Sequence, residues 1–124
     1  MHVFFLLKLK LWLVRLGLMR RVLRFKPEML DLVLKGVKTS TVRPWNNTVY
    51  SDELVLTDGR RKVPAKLVKV EKLKLSEAAS SYLSEGFKTP DEFLRSITHL
   101  YPTLSLDGEV TLIRFKPDKH DGRP

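Results

Sequence analysis

The sequence contains no cysteine. This absence excludes a disulfide framework, a thiolate zinc site and a cysteine nucleophile, and it is typical of proteins of the reducing cytoplasm. Only three histidines occur, and they are scattered along the chain at His2, His99 and His120. A set of imidazole ligands for a metal ion is therefore not expected. We predict a cytoplasmic protein that uses neither a metal ion nor another cofactor.

Acidic residues are also few. The chain has 14 Asp and Glu against 23 Lys and Arg, so its formal net charge is +9 and its pI is about 10.0. Such an excess favours a polyanionic partner, most commonly nucleic acid, although a basic surface without a specific partner is the alternative. With 124 residues, 43% hydrophobic and 30% charged, the chain fits one folded domain. Its oligomeric state is not indicated.

Residues 1–18 are densely apolar, yet they carry Lys8, Lys10 and Arg15. A membrane-spanning helix needs about 20 almost uncharged residues. Each central Lys or Arg costs about 2.5–3.5 kcal/mol on insertion, so we do not expect a span. Three interpretations stay open. We rank first a start codon placed too early, with Met19 as the natural start, second an amphipathic helix at a membrane surface, and third an extra strand over residues 7–11.

The rest of the chain predicts the element order β-α-β-β-β-α-α-β, with alternating apolar residues in the strands and apolar residues at helical spacing in the helices. We predict an α+β fold, a small mixed β-barrel with helices covering its openings, in residues 19–116, followed by a flexible tail, 117–124. Local sequence patterns predict a helix from Pro27, a hairpin at Asp58-Gly59 and an edge or bulge position at Pro64. They also predict a helix over 76–83 capped by Ser76 and a last strand over 109–115. Between these two elements, a helix capped by Thr89 is predicted to bury Phe93, Leu94, Ile97 and Leu100.

One short motif, Gly36-x-Lys38-x-x-Thr41-x-Arg43, follows the first predicted helix. Gly36 is predicted to end that helix in the left-handed conformation, which glycine adopts without steric cost. Alternate residues of a strand share a face, so Thr41 and Arg43 point the same way. Lys38 is three positions from Thr41, and the two can act together only if Lys38 lies in the loop before the strand.

This motif, placed after a short amphipathic helix, resembles the hallmark of the ASCH domain, a family within the PUA-like barrels. A second signature also resembles that family. It consists of Glu85-Gly86-Phe87, a capped helix containing Glu92-Phe93, the pair Tyr101-Pro102, and a final strand that ends at Arg114-Phe115. The resemblance spans about residues 21–116.

The resemblance implies two functions from different classes. PUA-like barrels often bind RNA, and ASCH domains are linked to RNA in translation-related processes, so the motif is expected to form a pocket for RNA or a nucleotide. The alternative is an amidohydrolase, because some small single-domain members remove the acetyl group from N(4)-acetylcytidine. The working lysine, threonine and glutamate of those enzymes fall on Lys38, Thr41 and Glu85. An ordinary structural use of each residue is the third possibility, since kinship of fold does not transfer activity.

The chemistry of amide hydrolysis gives these residues plausible roles. The Thr41 hydroxyl can attack a carbonyl if a neighbouring base takes its proton. Lys38 can be that base if desolvation or the nearby charge of Arg43 lowers its pKa. Glu85 can accept a hydrogen bond from the base or assist proton transfer to the leaving amine, and Arg43 can hold a phosphate or the oxyanion.

Binding of nucleic acid needs stacking and phosphate contacts in addition. Trp45 lies in a polar loop beside the motif and is predicted to stack on a base. The densest basic run is predicted to form a phosphate-contacting rim, and RNA binding through it would weaken steeply with salt. A solvated hairpin face is the alternative for this run, which comprises Arg60, Arg61, Lys62, Lys66, Lys69, Lys72 and Lys74.

Overall fold

The computed structural model describes residues 19–118 together with Leu9, Leu11 and Trp12. These three residues are helical and their side chains are exposed. A helical conformation at Leu9 and Leu11 does not fit the strand interpretation of this segment. The other two interpretations stay predictions, because most of residues 1–18 lies outside the described residues. Over the part of the chain that is described, no helix is long and apolar enough to cross a membrane.

The element order agrees with the prediction. The described chain forms β1 (Met19–Arg24), α1 (Pro27–Leu34), β2 (Ser40–Pro44), β3 (Val49–Thr57), β4 (Lys62–Lys74), α2 (Leu75–Ala78), a 3-10 turn (Ala79–Ser81), α3 (Pro90–Leu100) and β5 (Glu109–Pro117). The helix before the motif starts at Pro27, whose fixed φ suits a first helical position. Asp58 and Gly59 belong to a four-residue turn between β3 and β4, so the predicted hairpin is confirmed.

The five strands form one mixed sheet in the order β1-β3-β4-β5-β2. Strand β1 runs parallel to β3, and the other three pairs are antiparallel. The sheet curls into a half-barrel, which confirms the predicted α+β class and mixed sheet. Among the described residues the edge strands β1 and β2 share no ladder, since the five residues of β2 pair with β5 alone. Instead, Arg43 Nη2 of β2 donates to the carbonyl oxygen of Arg24 at the end of β1, at 2.6 Å.

Strand β5 is buried on both faces and separates two apolar clusters. Because side chains alternate along a strand, Ile113 and Phe115 join one cluster and Val110 and Leu112 join the other. The first cluster contains Leu30 and Val33 of α1 with residues of β1, β3 and β4. The second contains Phe93 and Ile97 of α3 with residues of α2 and β2. The helices thus cover opposite sides of β5.

The connection after β4 differs from the sequence-based prediction. Helix α2 begins at Leu75 and ends at Ala78, and the 3-10 turn Ala79–Ser81 follows it directly. Helical structure is therefore present where it was predicted, but it starts earlier and ends before residue 83, and the Ser76 cap is wrong. The side chain of Glu77 accepts the N–H of Lys74 at 2.8 Å, so the helix is capped at Lys74, two residues before the predicted cap. Leu75 is completely buried, and its burial fixes where the chain turns from strand to helix.

Helix α3 begins as predicted. The hydroxyl of Thr89 accepts the N–H of Glu92 at 3.1 Å, and Phe93 and Ile97 are buried. Leu100, however, is 48% exposed, so its predicted burial is wrong. The reason is that the last turn of α3 reaches beyond the apolar cluster and borders the cavity described below.

Two further findings concern the ends of strand pairing. Pro64 pairs with Val55 of β3, and the ladder to β5 begins only at the next residue, so Pro64 has a strand partner on one side only, as predicted for an edge position. The irregularity of β4 falls instead between Leu67 and Lys69. Strand β5 continues to Pro117, and Asp118 donates its N–H to the Pro64 carbonyl at 2.9 Å, so the first part of the predicted tail joins the sheet.

Candidate functional site

The motif forms the tight connection between α1 and β2. Gly36 has a φ of +78°, the left-handed conformation predicted for it. The carbonyl oxygen of Leu32 then accepts the N–H groups of Val37 and Lys38, at 2.9 and 3.1 Å. These bonds hold Lys38 in the loop, because β2 starts only at Ser40. The structure therefore confirms the loop position from which Lys38 can face the same space as Thr41.

Lys38 and Glu85 form a buried pair. Only 4% of Lys38 and 3% of Glu85 is exposed. The amine of Lys38 donates to the main-chain oxygen of Glu85 at 2.9 Å and lies 3.6 Å from its carboxylate oxygen Oε1. Burial lowers the pKa of Lys38 because it penalises the charged amine. The charge of Glu85 and its hydrogen bond oppose this effect, and the charge of Arg43 adds to it.

The carboxylate of Glu85 is held on its other side by Ser40. The hydroxyl of Ser40 donates to Glu85 Oε2, and Ser40 is completely buried. The hydroxyl of Ser84 lies 2.8 Å from that of Ser40, and the N–H groups of Thr39 and Ser40 donate to the Ser84 carbonyl at 2.8 and 3.2 Å. The segment that carries Glu85 is thus bound directly to the start of β2.

Ser40 was not predicted from the sequence to be a residue of this site. Its residue type is common in loops, and only its position inside the motif, two residues after Lys38, pointed towards the site. Serine can donate one proton and accept two hydrogen bonds, so it suits a buried position between a carboxylate and a second hydroxyl.

Thr41 and Arg43 point to the same cavity, as their spacing predicted. Thr41 is 6% exposed, and its hydroxyl makes no hydrogen bond with any residue that the structure describes. The guanidinium carbon of Arg43 lies 5.4 Å from the ring centre of Phe25. Burial lowers the pKa of Arg43, but an arginine side chain stays ionised in proteins. A free hydroxyl and a fixed cation therefore stand side by side on β2.

These side chains line a cavity of about 370 Å³ between α1, β2, the loop before α3 and α3 itself. This volume lies within the range of small-molecule sites. Aromatic and aliphatic side chains make up much of its wall. Its lining includes the aromatic residues Phe25, Phe87, Phe93 and Tyr101, the buried polar residues Lys38, Thr41 and Glu85, the cations Arg24, Lys26 and Arg43, and the carboxylate of Asp58.

Trp45 does not line this cavity. It is 37% exposed, and the amine of Lys72 lies 4.5 Å above its ring centre. That cation occupies one face of the indole. Stacking of Trp45 on a base stays a prediction, and it would take place outside the cavity that contains Lys38 and Glu85. The half-buried aromatic residues that the structure brings to the cavity instead are Phe25, Phe87 and Tyr101.

The predicted basic rim is partly neutralised by carboxylates. Arg61 pairs with Asp31 at 2.6 Å and with Asp58 at 2.8 Å, and Lys66 pairs with Glu53 at 2.7 Å. Lys69 lies 3.7 Å from Glu71, and Lys72 lies 3.2 Å from Glu109. Within the described chain, the members of the run without an ion pair are Arg60, Lys62 and Lys74.

The β3–β4 turn nevertheless borders the cavity through Asp58. The N–H groups of Arg60 and Arg61 donate to Asp58 Oδ1 at 2.9 and 2.8 Å, and Arg61 Nε donates to Oδ2 at 2.9 Å. These bonds, above all the two from the main chain, lower the pKa of Asp58 to about 2. Asp58 is therefore an ionised member of the cavity wall. Among residues 19–118, no group of three His, Cys, Asp or Glu side chains could hold a metal ion.

No protein-family model matches the sequence, and comparison with curated proteins gives no match. Solved structures are similar in fold. The hypothetical protein PH0355 has a TM-score of 0.62 and 14% identity, over 78% of this chain and 97% of that one. A ZmASCH mutant protein from Zymomonas mobilis has a TM-score of 0.57 and 17% identity, over 79% and 71% of the two chains. The ASCH domain from Lactobacillus crispatus has a TM-score of 0.50 and 16% identity, over 78% and 79%. The described domain therefore has the fold of ASCH domain proteins, which the motif predicted.

Proposed function

We propose that the cavity binds a single nucleoside or nucleotide, either free or as a base turned out of an RNA strand. The observation that carries this proposal is a cavity of about 370 Å³ that combines aromatic walls with the buried Lys38–Glu85 pair. Single-stranded RNA is commonly recognised by stacking of unstacked bases on aromatic side chains together with hydrogen bonds to the base edges. Both elements are present here in one pocket.

The polar groups of the cavity match the needs of base recognition. Lys38 supplies donors, Glu85 supplies an acceptor, and the Thr41 hydroxyl can do either. Lys38 and Glu85 are fixed in place, since Ser40 donates to the Glu85 carboxylate and the main-chain oxygen of Glu85 accepts a hydrogen bond from Lys38. Rigid polar groups in a mostly apolar pocket give orientation and selectivity to a small ligand. This arrangement supports a specific base rather than a non-specific contact with RNA.

Equilibrium binding measured by calorimetry tests the proposal. The ligands are adenosine, guanosine, uridine, cytidine and N(4)-acetylcytidine, their 5′-monophosphates, and single-stranded RNA of each base. We expect one base to bind best, and we expect Lys38→Met to abolish its binding. Lys35→Met is the matched control, because Lys35 is an exposed lysine at the end of α1. If the unmodified protein binds none of these ligands, the proposal is wrong.

A second candidate function is hydrolysis of an amide on the bound base, as in N(4)-acetylcytidine. Two observations favour it. Burial lowers the pKa of Lys38, which favours the neutral amine that a general base needs. The hydroxyl of Thr41 borders the same cavity and makes no hydrogen bond with the described residues, so it is available to a substrate.

The reaction that these groups support has two stages. The Thr41 oxygen attacks the acetyl carbonyl carbon while the Lys38 amine takes the hydroxyl proton, and Arg43 stabilises the oxyanion. The intermediate collapses, the bond from carbon to N4 breaks, and N4 takes a proton from Lys38, which releases cytidine. Water then hydrolyses the acetyl ester on Thr41 and releases acetate. Glu85 accepts hydrogen bonds from Lys38 throughout and orients it.

Release of cytidine from N(4)-acetylcytidine, followed by chromatography, tests this candidate. Thr41→Ala is expected to abolish turnover and to keep binding of the substrate, whereas Thr41→Ser keeps measurable turnover because it retains a hydroxyl. Thr39→Ala is the control from the same motif, since the exposed Thr39 takes part only through its backbone among the described contacts. Absence of cytidine release by the unmodified protein would rule the reaction out and leave a binding protein.

A further inference from the structure

Two basic side chains stand at the mouth of the cavity. Arg24 ends β1 and Lys26 directly precedes α1, and both are exposed while they also line the cavity. Neither of them forms an ion pair with any residue in the described part of the chain. Two cations without a carboxylate partner thus lie side by side where a ligand would enter.

The carboxylates of the cavity wall are already bonded elsewhere. Asp58 accepts three hydrogen bonds, from the N–H groups of Arg60 and Arg61 and from the Arg61 side chain. Glu85 is bonded by Ser40 and lies beside Lys38. The acidic residues that line the cavity are these two, against four basic ones, Arg24, Lys26, Lys38 and Arg43. Among the described residues Arg24, Lys26 and Arg43 therefore line the cavity without a carboxylate partner, and of these Arg24 and Lys26 are the exposed ones at the mouth.

The main chain at the mouth is held in place by the site itself. Arg43 donates to the carbonyl oxygen of Arg24 at 2.6 Å, which ties the end of β1 to β2. The guanidinium of Arg24 lies near the β3–β4 turn, where a Cβ atom built on Gly59 would be 3.8 Å from Arg24 Nη1. Arg24 is therefore held at the rim of the cavity, between β2 and the β3–β4 turn.

We infer that the natural ligand carries a phosphate group and that Arg24 and Lys26 bind it. This inference rests on the proposed function, since it places the base among the aromatic side chains and the sugar between base and mouth. The planar guanidinium of arginine matches phosphate oxygens with two parallel hydrogen bonds, and lysine adds a point charge. The phosphate belongs either to a free mononucleotide or to the backbone of RNA, and both share this chemistry.

Calorimetry with the best-binding nucleoside, its 5′- and 3′-monophosphates and single-stranded RNA of the same base tests the inference. A monophosphate is expected to bind at least about tenfold more tightly than the nucleoside, since charge-assisted hydrogen bonds from arginine and lysine to phosphate are stronger than neutral ones. The double variant Arg24→Gln with Lys26→Gln is expected to remove this difference and to leave nucleoside binding unchanged. Unchanged nucleoside binding also shows that the variant is folded.

The matched control is the double variant Lys88→Gln with Arg95→Gln, which removes two exposed positive charges that do not line the cavity. It is expected to keep the preference for phosphate. Tighter binding of RNA than of either monophosphate would assign the phosphate to an RNA backbone, and equal or weaker binding would assign it to a free nucleotide.

Three results would overturn the inference. Equal binding of nucleoside and monophosphates by the unmodified protein would refute it and leave the proposed function intact. A preference for phosphate that survives in the Arg24 and Lys26 variant would place the phosphate on other residues. Binding of no ligand at all would refute the proposed function, and the inference would fall with it.

Discussion

The amine of Lys38 and the main-chain oxygen of Glu85 are 2.9 Å apart, although 47 positions separate the two residues in the sequence. The Glu85 carboxylate lies 3.6 Å from the same amine, and both side chains are almost completely buried. Removing one partner of such a pair leaves a buried charge without compensation, which is strongly destabilising. The pair therefore acts both as a structural tie between the motif and the loop before α3 and as the polar floor of the cavity.

The lowered pKa of Lys38 predicts a pH dependence of stability. Between that lowered pKa and its ordinary value of 10.5, the unfolded chain binds a proton at this lysine that the folded protein does not hold. The free energy of unfolding should therefore gain a rising contribution from Lys38 with pH across this window. Urea denaturation from pH 7 to 10.5 should show that Lys38→Met loses this rise. Lys35→Met should keep it, and an equal slope in all three proteins would contradict the shift.

Replacement of Ser40 by alanine removes a hydroxyl that bonds Glu85 and contacts Ser84. The buried carboxylate then loses a partner, so Ser40→Ala should lower the free energy of unfolding by about 1–3 kcal/mol in urea denaturation. Ser105→Ala, at an exposed position, should change it by less than about 0.5 kcal/mol. A change at Ser40 no larger than that at Ser105 would show that this hydrogen bond contributes little.

Gly36 and Gly86 both have positive φ but differ in the space around them. Their alanine variants therefore separate backbone strain from steric contact. At Gly36 a Cβ atom would meet no other atom within 4 Å, so Gly36→Ala is strained only by its φ of +78°. At Gly86 the φ is +96°, and a Cβ atom would lie 3.0 Å from Leu32 Cδ1 and 3.6 Å from the Cβ of Lys38. Backbone strain alone costs about 1–3 kcal/mol, and Gly86→Ala should cost more than Gly36→Ala because it adds a steric clash.

Thermal and urea denaturation compare the two alanine variants, and ligand binding separates them further. Gly86→Ala should also weaken ligand binding, because its backbone strain falls directly beside Glu85 and Leu32 must shift to make room for the Cβ atom. Gly36→Ala should bind the ligand as the unmodified protein does. Equal losses of stability in both variants would show that the contact between the Gly86 Cβ and Leu32 has no energetic cost.

The pKa of Asp58, about 2 against an ordinary 3.8, predicts a second pH effect in the acid range. A carboxylate with a depressed pKa stabilises the fold above pH 3.8, and this contribution is lost as the pH falls towards 2. Titration of the carboxyl carbon by NMR should give a midpoint near 2 for Asp58. Asp58→Asn should remove this part of the acid dependence of unfolding, whereas Asp107→Asn should leave it in place. A midpoint near 3.8 would show that the bonds from Arg60 and Arg61 do not persist in solution.

Sequence signals that act over a few residues were sufficient to predict much of the fold. The proline at the start of α1, the glycine after it, the threonine cap of α3 and the Asp58-Gly59 turn each act within a few residues, so the sequence reveals them directly. The loop position of Lys38 was predicted only on the condition that Lys38 and Thr41 act together, because residues three apart on a strand face opposite sides. The cap of α2 was predicted wrongly because the N–H groups of Leu75 and Ser76 donate to the carbonyl oxygens of Gly108 and Leu106, which are distant in the sequence.

The sequence by itself thus determined the order of elements, the α+β class and the motif residues that face one cavity. Only the tertiary structure decided the partners of those residues. It buried Ser40 against Glu85, placed Lys72 over Trp45 and paired Arg61 and Lys66 with carboxylates. It gave Arg24 and Lys26 no carboxylate partner among the residues that the structure describes. Burial and ion pairing depend on contacts between segments that are distant in the chain. These contacts change the pKa of each side chain and decide whether it is free to bind a ligand. They cannot be predicted from composition or from the spacing of residues.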